Sequence, residues 1–211
     1  MKKKIFIALF FIFSSSFLAS CLFFETCNPA PDYFQINGLD SNLMRFTNEG
    51  LNPWELIQTS ESIDWDEFFI RFYFDVTYIA QSDISWGNQL MAYSCPEPGE
   101  LGAKTGIDTL YFITPVDYNE NFTAGDTLNQ ILLLNSWIGW TEDFDNFYTP
   151  AEFVRQNDEI IMEQSFEVKL SEPPAKNGDY FFQLVYHLDN GKSFVEATNP
   201  VMINIEWIGS C

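Results

Sequence analysis

The residue types that can do chemistry in this chain are few in kind, and one kind dominates. The 211 residues include one histidine, four cysteines and 30 Asp+Glu against 10 Lys+Arg. Any Ser–His or Cys–His catalysis would have to run through His187. His187 alternates onto the side of Phe181, Gln183 and Val185, while Phe182, Leu184, Tyr186 and Leu188 form the more apolar side. That spacing predicts a histidine half-exposed on the outer side of a strand, with no nucleophile assigned beside it. The acids group locally as Asp64, Asp66 and Glu67, and again as Glu142, Asp143 and Asp145. Hydrolysis of a glycoside needs two carboxyls about 5–10 Å apart across a sugar cleft. Among so many acids such pairs arise without function, so no enzyme is expected, and a carboxylate-dependent hydrolase stands only as a second alternative.

Two further constellations would bind rather than react. Asp117-x-Asn119-x-Asn121 begins like a calcium loop, but Phe122 occupies the sharp-turn glycine position and Leu128 stands where a bidentate glutamate belongs. No metal or cofactor is expected: Glu142, Asp143 and Asp145 offer calcium oxygen ligands in an irregular loop, and a solvated acidic loop is the plainer alternative. Zinc is not expected, since there is no CxxC pair and His187 is far from every cysteine in sequence. In Trp137-Ile138-Gly139-Trp140-Thr141-Glu142-Asp143, two indoles sit beside acids. Indole faces stack on the CH faces of sugar rings while carboxylates bond the hydroxyls, so Trp137, Trp140, Glu142, Asp143 and Asp145 form a candidate glycan contact. The same indoles would serve equally well to plug a core.

The formal charge of −20 excludes a phosphate-backbone partner, because no basic surface of any size can be assembled. Three of the bases are Lys2, Lys3 and Lys4, followed by an apolar run from Ile5 to Phe17 and then small residues. That is the pattern of a secretory leader over residues 1–20, too short for a comfortable bilayer span. Leu18-Ala19-Ser20-Cys21 resembles the lipobox of bacterial lipoproteins. The resemblance implies cleavage before Cys21 and a diacylglyceryl thioether on its sulfur, a stable anchor once further acyl chains are added. Leu22 follows, not the aspartate of the inner-membrane retention signal, so the expected address is the outer membrane, with the periplasmic or cell-surface leaflet undecided. Residues 21–31 are then a short lipidated tether. In the oxidising envelope Cys27, Cys95 and Cys211 can pair one bond among them; Cys27–Cys95 is the favoured pairing and Cys27–Cys211 its competitor. Asp126-Thr127-Leu128 resembles the O-glycosylation acceptor of Bacteroidota envelope proteins, which makes Thr127 a candidate modification site.

The elements that must position these residues are mostly strands. Phe68 to Ala80 alternates cleanly, with Phe68, Ile70, Phe72, Phe74, Val76, Tyr78 and Ala80 on one face, which reads as a long strand with that face buried. Leu90–Ser94, Ile107–Thr114, Ser165–Leu170, Tyr180–Leu188, Ser193–Thr198 and Val201–Trp207 read as further strands. Asp189-Asn190-Gly191 reads as a hairpin turn, and Asn37-Gly38 and Asn177-Gly178 as other turns. Thr149-Pro150-Ala151-Glu152 is a capping box that predicts a short helix from Pro150 to about Gln156. Asp126 or Thr127 would cap a second helix over Leu128–Leu134, unless that run is a strand. The sum is an all-β chain: an antiparallel β-sandwich of the immunoglobulin kind with one or two short helices, as a single domain over residues 32–208.

The Tyr33-Phe34-Gln35-Ile36-Asn37-Gly38-Leu39 opening, the Tyr93–Gly99 loop, Asp117-Tyr118-Asn119 and the Gly191 hairpin together resemble an uncharacterised family of Bacteroidota lipoproteins known as a domain of unknown function. That resemblance implies the envelope address and the fold, and no chemistry. The expected role is a non-catalytic binding module of the outer membrane with a protein or glycan partner. The alternative is a carbohydrate-binding module using Trp137–Asp145.

Overall fold

The computed structural model describes residues 30–47, 54–58, 61–79, 97–135 and 146–205. A five-stranded sheet is built from β1 (Tyr33–Phe46), β2 (Trp54–Leu56), β4 (Phe68–Ile79), β6 (Leu132–Asn135) and β7 (Ser165–Leu170), in the order β2-β1-β4-β7-β6. Opposite it, β5 (Ile107–Ile113), β9 (Gln183–Leu188) and β10 (Ser193–Ala197) form a three-stranded sheet in the order β10-β9-β5. A small third sheet joins β3 (Ser62–Asp64), β11 (Val201–Asn204) and β8 (Gly178–Tyr180), with β11 parallel to β3 and antiparallel to β8. Set β2, β3, β8 and β11 aside and letter the remaining seven strands A to G in chain order. The two sheets then read A-B-E-D and C-F-G, the arrangement of a constant-type immunoglobulin sandwich.

Period-2 alternation explains the core. Phe68, Ile70, Phe72 and Phe74 of β4 are buried, as are Leu184, Tyr186 and Leu188 of β9 and Leu110 and Phe112 of β5. Immunoglobulin domains of antibodies pin strand B to strand F with a disulfide. In this chain rings meet there instead: Phe74 of β4 lies 5.4 Å from Tyr186 of β9, and Phe68 lies 6.0 Å from Phe182 just before β9, centroid to centroid. Phe166 of β7 stacks on Tyr186 at 5.7 Å and meets Phe74 at the same distance, so the three rings form a triangle. The Tyr186 hydroxyl is buried there with no hydrogen-bond partner among the described residues, and burial raises its pKa well above the ordinary phenol value.

Several expectations hold at the level of single residues. Helix α1 spans Pro150–Gln156, and Thr149 and Glu152 complete the reciprocal capping box, with the Glu152 carboxylate accepting the Thr149 N–H at 3.0 Å. Gly191 sits at φ +83° in the β9–β10 hairpin, where Leu188 N–H donates to Lys192 O at 2.9 Å.

Others need correction. Asn37-Gly38 is no turn: it lies inside β1, where the register with β4 shifts between Ile36 and Gly38. A Cβ on Gly38 would meet Asp75 Cβ at 3.3 Å, so the glycine marks a bulge with a close cross-strand approach. Tyr180–Leu188 is not one strand but two, β8 and β9, in different sheets. The break falls at Phe182, whose N–H donates to Thr198 Oγ1 (3.0 Å) and whose carbonyl accepts the Thr198 N–H (2.9 Å). Neither Asp126 nor Thr127 caps a helix. Asp126 Oδ2 closes its own turn onto the Thr123 N–H at 2.7 Å, and the apolar run ends as strand β6. The predicted strand Leu90–Ser94 lies outside the described residues.

Candidate functional site

The sites singled out from sequence divide sharply by where they fall. Cys21, Cys27, Cys95, Cys211, Trp137, Trp140, Glu142, Asp143 and Asp145 lie outside the described residues. Thr127 lies within them, exposed and bridged to Ile113 on the edge of β5. The Asp117–Asn121 oxygens are turned inward on their own loop: Asn119 Oδ1 accepts the Asn121 N–H at 2.9 Å, and Asp117 Oδ1 accepts the Ala124 N–H at 2.9 Å. These two oxygens brace the loop against its own backbone N–H groups. Among the described residues, no group of three or more His, Cys, Asp or Glu side chains is gathered for a metal. Asp64, Asp66 and Glu67 straddle the tight turn between β3 and β4, with the Glu67 N–H donating to the Asp64 carbonyl at 3.1 Å. One cleft of about 90 Å³ opens between β1 and the segment before β11, lined by Ser41, Leu56, Gln58, Glu61 and Pro200 among others. It holds a single carboxylate where glycoside hydrolysis needs two.

His187 stands where the alternation put it, half-exposed on the outer side of β9. Sequence reasoning missed its neighbour. Ser193 is opposite it in register on β10, with the Ser193 Oγ 2.6 Å from His187 Nδ1. The signal lay in the hairpin itself, because a tight turn at Asn190-Gly191 pairs the residues flanking it. Contact alone does not make a nucleophile: a catalytic histidine also needs an orienting group and donors for the developing oxyanion. In register, His187 has Thr109 on one side and Ser193 on the other, and neither is a carboxylate.

This pair is one row of a larger surface. The outer face of the three-stranded sheet carries three rows, each crossing β5, β9 and β10. The first is Thr109–His187–Ser193, the second Tyr111–Val185–Val195 and the third Ile113–Gln183–Ala197. None of these nine residues is Asp, Glu, Lys or Arg. Tyr111 is 42% exposed and Val195 57%, two of the eight large apolar side chains exposed among the described residues. The Tyr111 ring meets the His187 ring edge to face at 6.0 Å. Thr109, His187, Ser193 and Gln183 thus flank a central stripe of Tyr111, Val185 and Val195, with Ile113 and Ala197 adding to its apolar share.

The β5 edge of this sheet is taken up by the segment that follows it: Thr127 bridges Ile113, and the Leu128 N–H donates to the Phe112 carbonyl at 2.7 Å. Asn129 Oδ1 accepts the Phe112 N–H and Asn129 Nδ2 donates to the Leu110 carbonyl, both at 2.9 Å. The amide occupies ladder positions that another strand would use, so pairing along this edge is obstructed. Comparison with protein-family models, curated proteins and solved structures finds no match.

Proposed function

We propose that this chain is a non-catalytic binding module of the bacterial outer membrane, lipid-anchored through Cys21, and that the outer face of the β5-β9-β10 sheet is the surface it offers to its partner. The observation that carries the reading is the lack of charged side chains on that face in a chain of formal charge −20. Carboxylates elsewhere keep such a body soluble and repel other anionic surfaces. An uncharged, partly apolar area amid them is where contact costs least in desolvation. The leader and the Leu18–Cys21 segment support the anchor, and the two prolines Pro29 and Pro31 of the short tether would hold the sandwich close to the membrane.

Two measurements test the two halves. Wild-type protein expressed in a bacterial host should take up labelled fatty acid and sediment with membranes, and Cys21→Ser should lose the label and become soluble. An unlabelled wild type, or a Cys21→Ser variant that still sediments, would overturn the anchor. Soluble Cys21→Ser protein should bind isolated envelopes, and Val195→Asp should abolish that binding while the melting temperature holds. Binding that ignores Val195→Asp and Tyr111→Ala would overturn the assignment of the surface.

A further inference from the structure

We infer that the occupant of the outer β5-β9-β10 face is an uncharged carbohydrate chain; this rests on the reading of that face as a binding surface. Three features narrow the chemistry.

The first is charge. A cationic partner would gain nothing on this face and much from the carboxylates elsewhere, and a polyanion would be repelled by the body as a whole. The occupant is therefore neutral.

The second is size. Five residues of β5 at about 3.4 Å each, and three strands about 4.8 Å apart, make a platform of roughly 10 by 14 Å between Cα atoms. A stable dimer or a dedicated protein partner engages about 20–30 residues on each side, against the nine of this platform. Extending a protein interface past its border would bury carboxylates: Asp108 is exposed at the β5 bulge, and Asp189 is exposed in the hairpin. A few sugar rings fit within the border.

The third is the mix of groups. A sugar presents an apolar CH face and a ring of hydroxyls, and recognition needs an aromatic plane with neutral donors and acceptors around it. Tyr111 supplies the half-exposed ring at the centre. Gln183 on one side and His187 with Ser193 on the other flank it one row away. The Ser193 hydroxyl holds His187 through Nδ1, which fixes the imidazole plane and leaves Nε2 as its second hydrogen-bonding atom.

The test uses the full chain in non-ionic detergent, run by native electrophoresis through gels containing laminarin, mannan, dextran or arabinogalactan, and in parallel through polygalacturonate and heparin. At least one neutral polysaccharide should retard the wild type and neither polyanion should. Tyr111→Ala should weaken the interaction tenfold or more, Gln183→Ala by a smaller factor, and Val195→Asp should abolish it, with unchanged thermal melts. Envelope binding should be destroyed by periodate, which cleaves the vicinal diols of sugars, and should survive protease treatment of the envelopes. Envelope binding that needs Tyr111 but is lost to protease and resists periodate would overturn the carbohydrate inference while leaving the binding surface in place. Retardation by the polyanions equal to that by neutral chains would overturn it as well. Envelope binding indifferent to both Tyr111→Ala and Val195→Asp would remove the inference and the surface together.

Discussion

On the outer side of the five-stranded sheet a polar row crosses four strands: Asn42 of β1, Arg71 of β4, Glu167 of β7 and Asn135 of β6. On the outer side of the three-stranded sheet the matching central row is Tyr111, Val185 and Val195. Both faces obey the same alternation, and side chains finish them differently. Across the larger sheet Arg71 bonds Glu167 and lies over the Trp54 ring at 5.0 Å, while Lys169 lies over Phe147 at 3.8 Å. Phe69, Trp54, Phe46 and Phe147 cluster beside them, with Phe69 5.1 Å from Trp54 and 6.0 Å from Phe147. Two of the few basic residues are spent in closing this surface, and Glu167 and Asn135 end up buried beneath it. The smaller sheet receives no such covering among the described residues. The contrast separates a face that completes the fold from a face left over for something else.

The ion pair has an internal asymmetry. Burial raises the Glu167 carboxyl above its ordinary value, and Arg71 works against that rise without cancelling it. Burial likewise opposes the Arg71 charge, but Glu167 and then Tyr73 more than offset it and hold the guanidinium above its usual value. The arginine is thus kept charged more firmly than the glutamate is kept ionised. Such pairs add little net stability but are costly to break from the arginine side.

The sharpest way to break the comparison is to open the closed face. Phe69→Ala should cost about 3 kcal/mol in urea unfolding, as for a buried aromatic removed from a packed cluster. A loss under about 1 kcal/mol would mean the outer cluster is ornamental and the two faces are alike. Next in size, Arg71→Met should cost about 2 kcal/mol at neutral pH, because it strands an ionised carboxylate in a buried site. Glu167 is a group with a raised folded pKa, so the penalty for its ionised form is present above that value and vanishes as the pH falls below the ordinary carboxylate range. The deficit of Arg71→Met relative to wild type should shrink over that interval, whereas a pH-independent deficit would assign the loss to packing of the arginine stem. Glu167→Gln, which keeps the shape without the charge, should stay within about 1 kcal/mol of wild type. The smallest effects belong to the open face: Tyr111→Ala and Val195→Asp should each leave stability within about 0.5 kcal/mol, as for exposed positions, with Tyr111 losing only its edge contact to His187. Melts lowered as far as those of Phe69→Ala would make this face part of the fold.

How much of this was legible beforehand follows from the range over which each signal acts. Phe69 shows the limit of a local pattern. Alternation puts it on the polar side of β4, and there it is, yet it is 7% exposed because Phe46, Trp54 and Phe147 from elsewhere in the chain close over it. Asn37-Gly38 misleads for the reverse reason. The dipeptide is a turn signal on its own, but a continuous β4 alongside β1 keeps the chain extended and leaves only a bulge.

The sequence by itself determined what depends on neighbours a few residues apart: the alternation of β4, the capped helix α1 and the hairpin at Gly191. Period and capping are local physics, and they survive without knowledge of the fold. Only the tertiary structure decided which strands lie side by side, and with that which outward residues become one surface. Thr109, His187 and Ser193 are unremarkable in a string of letters and form a row only because β5 and β10 both pair with β9. The emptiness of that face of charge is likewise a property of register. A slip of one residue in any of the three strands would turn its core side chains outward and its outer row into the core.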